Sequence, residues 1–253
     1  LLTSSAASDV YKRQDISHEI SPFNLIEAAY VIKNAYSNFP RGSIHIVDID
    51  SEQTPDQSHI VIEMDENFFI CADNGIISLI SSTIKPSKIF KINIGLHSAN
   101  TINNFVKVAA HLQRGGQLNV IGTEIFEIKE LTELKPIIKS NNELICNVIY
   151  IDNYGNVITN ITKDFFEKFQ ANRSFVINAR NIKFKQIFSS YSESINFNKE
   201  KKYREEDGKK VALFNSSDFL ELSIYKSNPK TSGGASSLFG LGYGDVISIL
   251  FND

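Results

Sequence analysis

The chain has little cysteine, no long apolar run and no excess of positive charge, and each shortage removes a class of function. Only two cysteines occur in 253 residues, Cys71 and Cys146, and both lie in apolar runs far apart in sequence. That placement suits reduced, buried thiols better than a disulfide framework, and neither cysteine has the spacing of a metal-ligand pair. No apolar stretch approaches the roughly 18 residues a membrane-crossing helix needs. With 26 Lys+Arg against 29 Asp+Glu, a formal net charge of -3 and a pI near 6.0, nothing pulls the chain toward nucleic acid or an anionic membrane surface. Small ligands or protein subunits are the partners left, and the cytoplasm is the compartment that fits.

What is present is an ordinary folding composition, 42% hydrophobic and 22% charged, long enough for one large domain or two modest ones. From Asp15 the pattern alternates helix and strand. Leu25, Ala28, Ala29, Ile32, Ala35 and Tyr36 recur at helical spacing, and Pro40 ends that helix. Strands are predicted over 44–49, 60–62, 68–71 and 89–94, with Asp73-Asn74-Gly75 as a turn before a helical 76–81. Phe105, Val108, Ala109 and Leu112 form one face of a further helix closed by Gly115-Gly116. Interleaved strands and helices argue for an α/β layer domain over 15–130.

A polar stretch with Pro136, residues 131–142, reads as an interdomain linker. Beyond it the character changes. Short strand-like runs at 144–151, 175–177, 210–214, 220–224 and 246–251, separated by turn-rich segments, suggest a small antiparallel barrel or sandwich over 143–253, with one short helix at 163–169. The charge run 199–210 reads as a solvated hairpin or loop. The segment 227–241 carries Gly233, Gly234 and Gly240, with Gly242 just beyond it, without the strand-loop-helix context or Lys-Ser/Thr pair of a phosphate loop.

The most informative stretch is Tyr150-Ile151-Asp152-Asn153-Tyr154-Gly155-Asn156-Val157-Ile158-Thr159-Asn160-Ile161. It interrupts an apolar strand with a carboxylate, a phenol and a carboxamide, and Gly155 allows a positive φ or a close backbone approach. Such a connection either is a hairpin turn in which Asp152 and Asn153 bond their own backbone, or presents groups suited to an ammonium, an aromatic base and its polar edge.

This stretch resembles the Ile-Asp-x-(x)-Phe-Gly-Asn-x-x-Thr-Asn-Ile signature of the S-adenosylmethionine hydroxide adenosyltransferase, chlorinase and fluorinase family. Asp15-Ile16-Ser17-His18-Glu19-Ile20 with Ser21-Pro22-Phe23, Ala72-Asp73-Asn74-Gly75, and residues 215–222 are similar to further landmarks in the same order. The resemblance implies a Rossmann-like α/β N-terminal layer domain followed by a small antiparallel β-barrel domain. It also implies S-adenosylmethionine as substrate with no cofactor, and water or hydroxide attacking the ribose 5' carbon to release adenosine and L-methionine. The alternatives are a nucleoside- or S-adenosylmethionine-binding protein without turnover, or a halogenase.

By the same resemblance Asp50 is the strand-end carboxylate credited with handling water. The family's Arg and His positions fall on Gln57 and Asn100, which carry no positive charge and take no proton at neutral pH. His59 and His97 lie near those positions and are candidate substitutes, whereas His18, His45 and His111 read as structural. Asp152 corresponds to the residue holding the methionine ammonium, Tyr154 to the ring on adenine and Asn156 to its polar-edge partner. Ser216 matches a Ser at the methionine end, and Ser217 stands where the fluorinase has Arg. The resemblance also implies a homotrimer, the typical assembly of the family, with the nucleoside between one subunit's first domain and a neighbour's second.

Residues 1–14 are expected to be a non-native leader, since Asp9-Val10-Tyr11-Lys12-Arg13-Gln14 back-translates to GAT GTG TAT AAG AGA CAG, a transposase adapter. The family's Thr-Asp-Phe-Gly-like turn, whose Asp holds the ribose diol, would precede Asp15 and is not in this sequence.

Overall fold

A computed structural model describes residues 13–81, 84–94, 100–206 and 208–252. The chain divides into two compact units, with the division between Thr132 and Glu133.

The described elements of the first unit are α1 (Leu25–Ala35), β1 (Ile44–Val47), β2 (His59–Met64), β3 (Asn67–Ala72), α2 (Ile76–Ile80), β4 (Lys88–Ile92), α3 (Thr101–Gln113), α4 (Leu118–Ile121) and β5 (Gly122–Glu124). One sheet runs β1-β3-β2-β4-β5. Among the described strands only β1 and β3 pair in parallel, so the sheet is mixed. The β2–β3 hairpin accounts for the reversal: Asp65 and Glu66 both have positive φ, 50° and 58°, the backbone of a two-residue turn matched to strand twist.

Successive strand residues face opposite layers. Ile60, Ile62, Phe69 and Cys71 pack with Ala28, Ile32 and Ile77, whereas Val61, Ile70, Phe90 and Ile92 turn to Phe105, Val108 and Leu112 of α3. Burial on both faces explains why these strands are apolar at nearly every position rather than alternating. Each fully buried Ile or Phe contributes about 1.5–3 kcal/mol. The first helix is fixed at its start: Asn24 Oδ1 accepts from the Glu27 amide at 3.1 Å, and the Glu27 carboxylate accepts from Ser21 N and Asn24 Nδ2, each at 3.1 Å. The landmark 15–23 thus feeds directly into this cap.

The second unit contains β6 (Ile137–Ser140), β7 (Glu143–Ile151), β8 (Val157–Thr162), α5 (Lys163–Gln170), β9 (Ser174–Ala179), β10 (Ile182–Phe184), β11 (Lys210–Phe214), β12 (Phe219–Ile224), α6 (Ala235–Phe239) and β13 (Val246–Asn252). The sheet order is β10-β9-β13-β7-β8-β12-β11, with β6 beside β7. Every pairing named in this sheet is antiparallel. Beyond β10 the chain reaches β11, where Phe188 N donates to Ala212 O at 2.8 Å, so the sheet forms a nearly closed barrel. Its interior is filled by Leu144, Val157, Phe166, Leu222, Ile249 and their neighbours. Cys71 and Cys146 are free and buried, and burial pushes the Cys146 thiol up to about 12, which keeps it protonated and unreactive.

Two details differ from the sequence pattern. The strand expected over 44–49 ends at Val47, because the chain turns through Asp50 with φ 45°. The stretch expected as a linker includes β6, paired to β7 through Ile137↔Ile145 and Ile138↔Leu144; its exposure on both faces left no periodic signal to read. Among the described residues, no helix is long and apolar enough to cross a membrane.

Candidate active site

In the first unit the candidate residues gather on the turn after β1. Parallel pairing sets Val47 opposite Cys71, so the carboxyl ends of β1 and β3 lie side by side and bring residues 48–51 next to 72–75. Ligand sites of α/β sheets favour this edge. Asp50, half-buried, sits here in the left-handed region, a conformation Asp tolerates better than most residues.

Side chains from three other segments hold that turn. Gln57 Nε2 donates to Asp50 O at 2.7 Å and to Glu52 O at 3.1 Å. Asn74 Nδ2 donates to Ile49 O at 2.8 Å and to Asp50 O at 3.2 Å, while its Oδ1 accepts from Ile76 N at 3.1 Å, the first residue of α2. His59 Nε2 lies 2.8 Å from Ser51 O, which places its proton on Nε2, and its ring meets Phe105 edge-on at 4.7 Å. Thr101 Oγ1 reaches Ser51 O at 3.5 Å. Asn100, one residue earlier, caps α3 by accepting from Asn103 N at 3.2 Å.

Asp50, Gln57 and the start of α3 therefore converge on one turn from separate parts of the sequence. The geometry also separates their roles: the Gln57 amide engages backbone carbonyls, so it positions Asp50. His59, a sequence candidate for proton transfer, is 2% exposed and braces Ser51. His97 lies outside the described residues. Asp73 and Asn74 were legible as a turn and a family landmark but with no role of their own, yet Asn74 clamps the Asp50 backbone and Asp73 Oδ1 accepts from Lys129 N at 2.9 Å.

In the second unit residues 152–156 join β7 to β8, with Ile151 paired to Val157. Asp152 organises the loop. Its Oδ1 accepts from Tyr154 N and Asn156 N, each at 2.8 Å, and its Oδ2 accepts from Asn156 Nδ2 at 2.9 Å. Backbone bonds Asp152 N to Asn156 O, 3.1 Å, and Gly155 N to Asp152 O, 2.8 Å, close it. The self-bonded turn and the ligand-facing loop are thus compatible, since a carboxylate has about four acceptor positions. Asn156 is buried, whereas the Tyr154 ring is 70% exposed.

Gly155 has φ 74°, and a Cβ built there would lie 2.9 Å from Gly234 Cα. Ser236 N donates to Gly155 O at 2.8 Å. The glycine-rich segment 233–242 accordingly serves as a backbone wall against the loop, a role that its lack of a phosphate-loop context left open.

A second turn follows β11. Asn215 Oδ1 accepts from Ser217 N at 3.0 Å and Phe219 N at 3.1 Å, with Ser216 exposed and Ser217 half-buried on the turn. Sequence reading missed what lies beside it. Glu221 of β12 is 4% exposed and accepts from the Tyr191 hydroxyl. Burial, with the nearby Asp152 charge adding to it, raises the Glu221 carboxyl above its ordinary value; burial and the Glu221 partnership raise the Tyr191 phenol likewise. Residues 220–224 read from sequence only as a strand-like run, and nothing in them signals that Tyr191, 30 residues earlier, reaches this face. Among the described residues, no group of three His, Cys, Asp or Glu side chains could hold a metal ion.

Comparison with known proteins gives a consistent picture. A family model described as the SAM hydroxide adenosyltransferase N-terminal domain matches residues 5–122, beginning within the stretch read as a leader, and the corresponding C-terminal domain matches residues 146–248. An (R)-S-adenosyl-L-methionine hydrolase of Methanocaldococcus jannaschii is 30% identical over 250 residues, spanning 94% of this chain and 82% of that protein. Two solved structures share the fold. An uncharacterized conserved protein from Thermotoga maritima has a TM-score of 0.75 at 24% identity, covering 94% of this chain and 88% of its own. A conserved hypothetical protein from Thermus thermophilus has a TM-score of 0.66 at 19% identity, covering 94% and 86%.

Proposed function

We propose, because this chain belongs to the SAM hydroxide adenosyltransferase family, that it hydrolyses S-adenosylmethionine to adenosine and L-methionine. Water or hydroxide attacks the ribose 5' carbon; the new C–O bond forms as the C–S bond breaks, and the electron pair returns to sulfur to give the neutral thioether. The water proton passes to solvent. Because the sulfonium is already a good leaving group, the protein's task is to align the nucleophile and hold both ends of the substrate.

In this reading Asp50 orients the attacking water as a hydrogen-bond acceptor, Gln57 fixes the Asp50 backbone, and Asn100 stands at the helix start beside the same turn. Asp152 takes the methionine ammonium, Tyr154 stacks on adenine and Asn156 meets its polar edge. The Ser216-Ser217 turn receives the methionine carboxylate. No cofactor is required, the assembly is a homotrimer with the nucleoside at a subunit boundary, and the compartment is the cytoplasm. The observation that carries the proposal is the match to both family domains in order, joined to 30% identity with a hydrolase over 94% of the chain.

Incubating the full-length protein with S-adenosylmethionine and separating products by chromatography tests it. Adenosine formation well above an Asp50→Ala control supports hydrolysis. One observation favours a second reading, a nucleoside-binding protein without turnover: the Gln57 amide is bonded to backbone and supplies no charge to the nucleophile. Tight calorimetric binding of adenosine with no product would select it. A halogenase reading would instead show product only with added halide.

A further inference from the structure

Beneath the Ser216-Ser217 turn the barrel buries a carboxylate where an apolar residue would be less costly. Glu221 pairs across β12 with Ile158 on one side and Leu213 on the other, and so faces away from Leu220 and Leu222, which belong to the barrel interior. Residues 185–200 cover this outer face: Phe188 bridges to β11, and Ser194 and Ile195 are buried. The Tyr191 hydroxyl donates to Glu221 Oε1, and Asn215, two residues beyond the cross-strand partner Leu213 and so on the same face, turns its side-chain amide to the same carboxylate.

The Asn215 bond has a consequence. A carboxylate accepts only, so it takes the amide nitrogen of Asn215 and turns Oδ1 the other way. That oxygen receives Ser217 N at 3.0 Å and Phe219 N at 3.1 Å, closing the turn together with Asn215 N to Phe219 O at 3.0 Å and Asp218 N to Asn215 O at 2.9 Å. Asp218 completes it with φ 59°. Glu221 thus decides which end of Asn215 faces the turn, and its partner Ile158 is two residues from Asn156, so it lies between the two ligand-facing segments of this unit.

We infer that Glu221, anchored by Tyr191, is a positioning residue for recognition of the substrate's amino-acid end. It acts through Asn215 on the Ser216-Ser217 turn and touches no substrate itself. The inference rests on the proposed assignment of that turn to the methionine carboxylate. The adenine end, held by Tyr154 and Asn156, is independent of it.

The test uses the full-length protein with Glu221→Leu, Glu221→Gln and Tyr191→Phe. In Glu221→Leu, loss of the Asn215 orientation raises KM for S-adenosylmethionine roughly tenfold while kcat stays within about threefold, the scale of one or two lost hydrogen bonds. Calorimetric affinity for adenosine, which has no amino-acid end, is unchanged. Glu221→Gln, which keeps a carbonyl acceptor, recovers part of the KM, and Tyr191→Phe shifts KM in the same direction by a smaller factor. Equal loss of adenosine and S-adenosylmethionine affinity, or unchanged KM in all three variants, overturns the inference. Should Glu221→Leu not fold, the partly exposed Tyr191→Phe decides alone by the same criterion. Absence of S-adenosylmethionine binding by the unaltered protein rejects the functional reading itself, an outcome distinct from normal binding that Glu221 does not influence.

Discussion

The side-chain amide of Gln57 donates to the backbone carbonyl of Asp50 at 2.7 Å. The residue that the family resemblance sets at a cationic position is here joined to the main chain of the turn that carries the candidate water-binding carboxylate. Replacing it with Leu removes that donor and leaves Asn74 as the described side-chain donor to the same carbonyl. We expect kcat for adenosine release to fall by about 10- to 100-fold, the scale of a small misplacement of a reacting group, with KM little changed. Steady-state kinetics on Gln57→Leu checks this; an unchanged kcat would remove Gln57 from the site.

The backbone contact between Gly155 and Gly234 admits no side chain, since a Cβ at either position meets the other's Cα within 2.9 Å. Gly155→Ala adds strain at φ 74°, and Gly234→Ala adds the same steric conflict from the opposite wall. Each should destabilise the second unit by about 1–3 kcal/mol, read as a lowered urea midpoint. Because both changes disturb one contact, the double variant should fall short of the sum.

Tyr154 presents an exposed ring on a loop whose shape is set by Asp152 and glycine, so removing the ring tests binding without disturbing the fold. Tyr154→Ala should weaken adenosine binding by about 1–3 kcal/mol, the value of one base–aromatic stack, and leave the unfolding free energy from urea titration within about 0.5 kcal/mol of the parent. Calorimetry with adenosine measures the first effect. Equal affinity in the two proteins would return this loop to a purely structural role.

His45 supplies a pH dependence in the first unit. Its ring stacks on Phe69 at 5.0 Å and meets Phe39 edge-on at 5.3 Å, and Nε2 is buried with no hydrogen-bond partner. Burial holds its pKa below the ordinary 6.5. Below 6.5 the unfolded chain binds the proton more readily than the folded one, so stability is full above that pH and is lost as pH falls toward the folded pKa. His45→Phe should flatten this dependence, seen as urea midpoints that converge with the parent near neutrality and exceed it near pH 5, an order-of-magnitude window set by the ordinary histidine value.

The layer pattern was legible because its strands are buried on both faces: Ile60-Val61-Ile62 and Phe68-Phe69-Ile70 could not be exposed edges, and the amphipathic 101–113 had to cover one side. The pairing was less so, since the two-residue turn Asp65-Glu66 has no glycine to mark its positive φ. At the site, chemistry-bearing residues could be named from their motifs, but not what they bond. Asp152 bonding its own loop, Gln57 bonding Asp50 and Tyr191 reaching Glu221 across 30 residues of sequence depend on strand register and on a covering segment with no periodic signature. The same segment covers Glu221, which the strand-like run 220–224 gave no reason to single out.

The most direct test of the account is turnover of S-adenosylmethionine in heavy-oxygen water, with mass spectrometry of both products. Hydrolysis at the 5' carbon predicts adenosine carrying the heavy oxygen at its 5' hydroxyl and unlabelled L-methionine, with release suppressed in Asp50→Ala. Adenosine without the label, or no adenosine from a protein that binds S-adenosylmethionine, would contradict it.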